Sequence, residues 1–203
     1  MLDTRTNSLI LVSTLASRPE YRNKLIVELR KIKESSFATR EELYEIFLQS
    51  YLFAGFPAAL ESVRALEKVF GHEPHEIETQ DEIISAYKDH AINGEVLYKK
   101  VYADNAVRVR EEMIRLSSEL AAWAMIEGYG KTLSRPGLDT KIRELAIVAM
   151  LTQLGWERQL YSHILGAHNV GATKEEILEA AQIGSKGSKE RFEIAEQLIK
   201  KIV

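Results

Sequence analysis

The chain has no cysteine among its 203 residues. That absence excludes disulfides, thiolate nucleophiles and every cysteine-based metal site. It fits a reducing compartment, so the cytoplasm is the expected location. Chain breakers are scarce too. Four prolines and eleven glycines leave long uninterrupted segments, which argues for an all-α protein. Neither sign of charge dominates: 27 basic against 30 acidic residues give a net charge of −3. Nucleic acid and membrane are therefore not expected as partners. The opening residues MLDTRTNSLI lack the basic start and long apolar core of a secretion signal. The seven-residue apolar run from Leu145 to Leu151 is far shorter than the roughly 20 residues a bilayer crossing needs.

What is present is helical periodicity. Leu9 to Ala16 and Tyr21 to Ile32 read as the first two helices, and further helices are expected at 39–53, 56–70, 104–128, 140–154, 156–169 and 173–183. Asn93-Gly94 reads as a break in the helix that starts at Asp81, and Gly128 and Gly130 as the end of the long one before SRPGLD. Thr39 and Glu42 have capping-box spacing, and Asp139 is placed to cap the helix that follows it. The helix over 140–154 is apolar on nearly every side, which predicts burial all round. The polar stretch 72–80 reads as a linker between an N-terminal unit, 1–71, and a C-terminal unit, 81–203. His72 and His75 have ligand spacing, but no third ligand lies near them, so neither a metal nor any other cofactor is expected.

The chain repeats itself. ATREE at 38–42 matches ATKEE at 172–176, and YRNKLIVELRKI upstream of the first matches WERQLYSHILGA upstream of the second. In this register Tyr21 pairs with Trp156, Leu25 with Leu160, Glu28 with His163 and Leu9 with Glu144. The first copy therefore lacks an equivalent of Glu144 and His163, and Glu28 reads as a solvated charge. Taken alone, Glu144 is an acidic residue near a helix N-terminus, where the backbone favours it. His163 taken alone is a partly buried histidine, and His168 a cation at a helix C-terminus.

The segments SRPGLDTKIRELAIVAMLTQLG and SHILGAHNVGATKEEI, with REELYEIFLQSYLFAGFPAALESVRAL in the first half, resemble the carboxymuconolactone decarboxylase family, which includes the alkylhydroperoxidase D-type proteins. The resemblance implies an all-α, alkylhydroperoxidase D-like helical bundle with two related helical units. It also implies assembly into trimers or hexamers. In the family's redox branch a glutamate precedes Cys-x-x-Cys and a histidine. Glu144 and His163 keep that nineteen-residue separation, while Trp156 and Gln159 stand at the two cysteine positions. Thiol peroxidase chemistry is excluded for want of a thiol, and the decarboxylase-like branch remains.

That branch implies a carbon–carbon lyase acting on a small carboxylated lactone. Such an enzyme must hold carboxylates, stabilise an oxyanion and deliver a proton to a ring carbon. Histidine is suited to proton transfer near neutral pH, and arginine to bidentate binding of carboxylates. His163 is the expected proton-transfer residue, with Glu144 orienting it. Arg143, Arg135 and Arg158 are candidate substrate cations, and Trp156 either packs or borders the ligand. Glu144 lies eleven residues before Gly155 and His163 eight after it. On antiparallel helices that mismatch of three residues is only about 4.5 Å, so the two side chains can meet. A non-catalytic oligomeric scaffold or small-molecule binder of the same fold is the alternative. The repeat points to a closed homo-oligomer, a trimer of two-unit chains that imitates a hexamer of single units.

Overall fold

The computed structural model describes residues 1–74 and 79–203. His75 lies outside the described residues, and the His72 ring is 2.9 Å from the Glu67 carboxylate. The chain is all-α, with no strand among the described residues. In order the helices are α1 (Thr4–Ala16), α2 (Arg22–Ser35), α3 (Arg40–Phe70), α4 (Gln80–Tyr102), α5 (Ala106–Leu116), α6 (Ser118–Trp123), a π-helix (Ala124–Leu133), α7 (Thr140–Leu154), α8 (Glu157–Asn169), α9 (Lys174–Ser185) and α10 (Lys189–Ile199). The helix α3 is interrupted at Gly55 (φ 85°, ψ 164°), just before Pro57, which is where the sequence separates 39–53 from 56–70.

Two compact units form. One joins 1–72 to 137–203, and the other is 73–136. The expected linker falls at the first boundary. The second boundary, between Pro136 and Gly137, falls inside the stretch 81–203 that reads as one unit in the sequence. The difference has a physical cause. The helix α1 packs on α7 and α9, and α3 packs on α7, so both copies of the repeat share a core. Leu9, Leu43 and Phe47 belong to the same buried cluster as Leu138, Ile142 and Ala146. Local periodicity carries no signal for such long-range pairing.

Within this unit the two copies are built alike. Asp3 caps α1 by accepting from the Thr6 N–H, and Asp139 caps α7 by accepting from the Lys141 N–H. Complete capping boxes, Thr39–Glu42 and Thr173–Glu176, open α3 and α9. In each copy a cation from the first helix reaches the capping glutamate: Arg5 pairs with Glu42, and Lys141 with Glu176 at 2.9 Å. Burial opposes ionisation of both glutamates. Their bonds to the cap residue and the cation outweigh it, holding each carboxyl below its usual range. Every residue from Ile142 to Gln153 on α7 is buried, as its unbroken apolar pattern requires.

In the unit 73–136, α4 packs along the π-helix. The sequence reading needs two corrections here. Gly94 does not break α4. It lets the backbones touch: a Cβ there would lie 2.1 Å from the Met125 carbonyl oxygen, and one at Gly130 would lie 1.9 Å from that of His90. Gly128 and Gly130 likewise do not end the long helix, which continues in π form to Leu133. The real interruption is Ser117, extended at φ −164° and ψ 120°, whose hydroxyl caps α6.

Candidate active site

The glycine that closes α7, Gly155, is left-handed (φ 81°, ψ 23°), and the chain turns back through Trp156 into α8. This brings the second turn of α7 against the middle of α8. Asp139, not Glu144, caps α7. Glu144 is only 2% exposed, and a carboxylate buried to that degree needs a partner. The partner is His163, itself 7% exposed, with Nδ1 2.8 Å from Glu144 Oε2. A carboxylate can only accept, so Nδ1 carries the proton and Nε2 is the nitrogen left for exchange with a ligand. The Phe53 ring, from the bend in α3, meets the imidazole edge-on, 5.2 Å between centroids and 86° between planes. The rotamer of His163 is thus held on one side by a charge and on another by an aromatic ring.

Arg143, beside Glu144 in sequence, is directed elsewhere. It is 1% exposed. Its Nη2 donates to Glu45 Oε2 at 2.8 Å, and its Nη1 to Gln49 Oε1 at 3.3 Å. The Gln49 amide in turn donates to the Arg143 carbonyl at 3.4 Å. The expected substrate cation is therefore a buried tie between α7 and α3, its carboxylate supplied by the protein. Arg158 is exposed in the first turn of α8, next to Gln159 and to Trp156, which is 60% exposed. Arg135 belongs to the other unit, 73–136. His168 is exposed in the last turn of α8.

Glu45 and Gln49 are the site's neighbours that the sequence reading missed. Glu45 and Gln49 lie four residues apart on the buried side of α3, among Leu43, Ile46 and Phe47. Polar groups on such a face signal an opposing charge, and that signal was available. One carboxylate and one imidazole are fewer donors than the three a catalytic zinc takes from protein, and without a thiol the pair supports no redox couple. A fixed imidazole of this kind is able to transfer a proton. Two cavities, of about 240 Å³ beside Pro19 and Pro57 and about 340 Å³ between α1 and α2, are lined by neither Glu144 nor His163.

Comparison with known proteins bears on this geometry. Residues 119–185, which include Glu144 and His163, match the model of the carboxymuconolactone decarboxylase family. A protein of Schizosaccharomyces pombe named peroxisomal protein 2 is 31% identical over 150 residues, covering 73% of this chain and 70% of its own. A 4-carboxymuconolactone decarboxylase of Acinetobacter baylyi is 41% identical over 51 residues, covering 25% of this chain and 38% of its own. The all-α architecture, the family match and the extended similarity to the yeast protein agree: the chain belongs to the carboxymuconolactone decarboxylase family, as a cysteine-free member with the alkylhydroperoxidase D-like helical fold.

Proposed function

We propose that the protein is a cofactor-free lyase that removes carbon dioxide from a small carboxylated lactone, with His163 transferring the proton and Glu144 positioning it. The observation that carries this reading is the buried 2.8 Å contact between Glu144 and His163. In the reaction the bond from ring carbon to carboxylate breaks and carbon dioxide leaves. The electron pair moves into the ring towards the lactone carbonyl oxygen. The resulting enolate takes a proton from Nε2 of protonated His163 at a ring carbon, and solvent restores that proton. Glu144 accepts from Nδ1 throughout and balances the imidazolium charge, the orienting role of a third group. Arg158 is the cation proposed for the substrate carboxylate, with Trp156 beside it as an apolar wall. Arg143 is committed to Glu45.

A thermal-shift series tests this. A saturating carboxylated lactone, at about a hundred times its Kd, contributes about 2.7 kcal/mol, which should raise Tm by roughly 5–10 °C. The same lactone without its carboxylate should shift Tm far less. Equal shifts, or none, would count against the reading.

The lack of a Glu–His pair in the first copy favours a second reading, an oligomeric scaffold or small-molecule binder without catalysis. Turnover separates the two. For assembly we favour a closed homotrimer. The repeat motivates it, and so do the exposed Ile84, Val96, Val107 and Leu116 of the unit 73–136, since exposed apolar side chains in number mark contact surfaces. Sedimentation should give a species near 69 kDa, three times 23.1 kDa; a 23 kDa monomer at micromolar concentration would contradict it. The cytoplasmic location proposed from the sequence stands beside the peroxisome in the yeast relative's name.

A further inference from the structure

The cavity of about 340 Å³ between α1 and α2 lies in the first copy of the repeat, and its lining is chemically two-sided. Leu11, Leu15 and Val27 supply an apolar wall, while Lys24, Lys31 and Lys186 surround it with amines. Glu28 is the only acidic residue in the lining, and it is already engaged by Lys31 at 3.2 Å. The ammonium groups of Lys24 and Lys186 stand 5.6 and 5.8 Å from the centroid of the Tyr21 ring. Two cations thus share one aromatic ring, and the one carboxylate, paired with Lys31, also attracts Lys186.

Lys186 is held there at a cost. It ends α9 in the left-handed conformation (φ 49°, ψ 35°), which disfavours every residue but glycine. A glycine stands at the next position, Gly187, so the chain has the residue type that would relieve the strain but does not place it there. Burial first, and then the charge of Lys24, hold the Lys186 ammonium below its usual range. An anion entering the cavity would offset both effects. Strain of this kind is retained where it places a side chain for a purpose.

The repeat supplies a second, independent argument. In its register Glu28 stands opposite His163 and Lys24 opposite Gln159. Each position is completed from the end of the other copy's third helix. Phe53, just before the interruption of α3, covers His163. Lys186, at the end of α9, closes the cavity at Glu28. In the first copy Leu9 and Glu28 stand where the second has Glu144 and His163, and a pocket edged by amines lies beside Glu28.

We infer that this cavity is a second ligand site, taking a small organic carboxylate whose apolar body lies on Leu11, Leu15 and Val27 and whose charge is met by Lys24 and Lys186. The cavity size is ordinary for one small ligand. A half-buried amine, Lys186, beside an exposed one, Lys24, suits a carboxylate better than a neutral group, because both sides gain a charge-assisted contact.

Calorimetric titration with benzoate at constant ionic strength tests the site, with benzyl alcohol as the neutral control. Benzoate should bind saturably and benzyl alcohol far more weakly. The double variant Lys24→Gln/Lys186→Gln should weaken benzoate at least about tenfold. Glu28→Gln should tighten it, by removing the one repelling carboxylate. Lys186→Gly should weaken benzoate while raising Tm, since glycine accepts the left-handed backbone; that gain shows that the loss is not misfolding. Arg158→Gln, at the cation proposed for the lactone carboxylate, should leave the affinity unchanged, so failure of the lyase reading and failure of this site remain distinguishable. Benzoate binding no tighter than benzyl alcohol, full affinity in the double variant, or loss of binding in Arg158→Gln would each overturn the inference.

Discussion

Replacing His163 by alanine is expected to lower kcat on the carboxylated lactone at least about a hundredfold, within the roughly 10²–10⁴ range for a positioned acid or base. The expectation rests on geometry. Nδ1 of His163 is 2.8 Å from Glu144 and its ring is braced by Phe53, so Nε2 is presented in one orientation. Water that enters in place of the imidazole has no such orientation. Glu144→Gln should cost less, because an amide oxygen still accepts from Nδ1 but no longer balances the imidazolium. Both effects should fall on kcat, since neither residue is assigned to hold the substrate carboxylate. Circular dichroism and sedimentation should show both variants folded and assembled like the wild type. If His163→Ala turned over the lactone at the wild-type rate, the assignment of the site would be wrong.

The second large effect concerns stability. Glu45→Ala should destabilise the protein by about 3–5 kcal/mol, the usual cost of removing one partner of a buried ion pair. Arg143 and Glu45 are 1% and 3% exposed, so water does not readily replace the lost carboxylate. By the usual scaling the fall in Tm should be about 6–20 °C. Glu45→Gln should lose less, since its amide oxygen can still accept from Nη2. The double replacement Arg143→Met/Glu45→Leu should recover most of the loss, because an apolar pair of similar bulk carries no desolvation cost. Urea denaturation of the four proteins measures these differences. A Glu45→Ala protein within about 0.5 kcal/mol of wild type, the range of ordinary surface changes, would show that the pair does not tie α3 to α7 as described.

What could be read from the sequence followed local rules. The caps at Thr39, Asp139 and Thr173 are fixed by side chains within three residues of the backbone N–H groups that donate to them, and helix starts followed from them. The burial of α7 followed from its composition. Contact between Glu144 and His163 followed from a short turn and arms that differ by only three residues. What could not be read depends on long-range partners. Arg143 looks like a free cation in a linear sequence, and only the packing of α3 shows that Glu45 and Gln49 occupy it. Gly94 and Gly130 look like breakers, and only the facing backbones of Met125 and His90 show that they are contact points. The merging of both repeat copies into one unit depends in the same way on α1 meeting α7.

The most direct test of the central claim is carbon dioxide release from 4-carboxymuconolactone by the wild-type protein in deuterated water, followed with His163→Ala in parallel. The account predicts saturable release by the wild type, one solvent deuteron at a single ring carbon of the product with one stereochemistry, and release by His163→Ala at least about a hundredfold slower. Release no faster than in buffer alone, from folded and assembled wild-type protein, would contradict it.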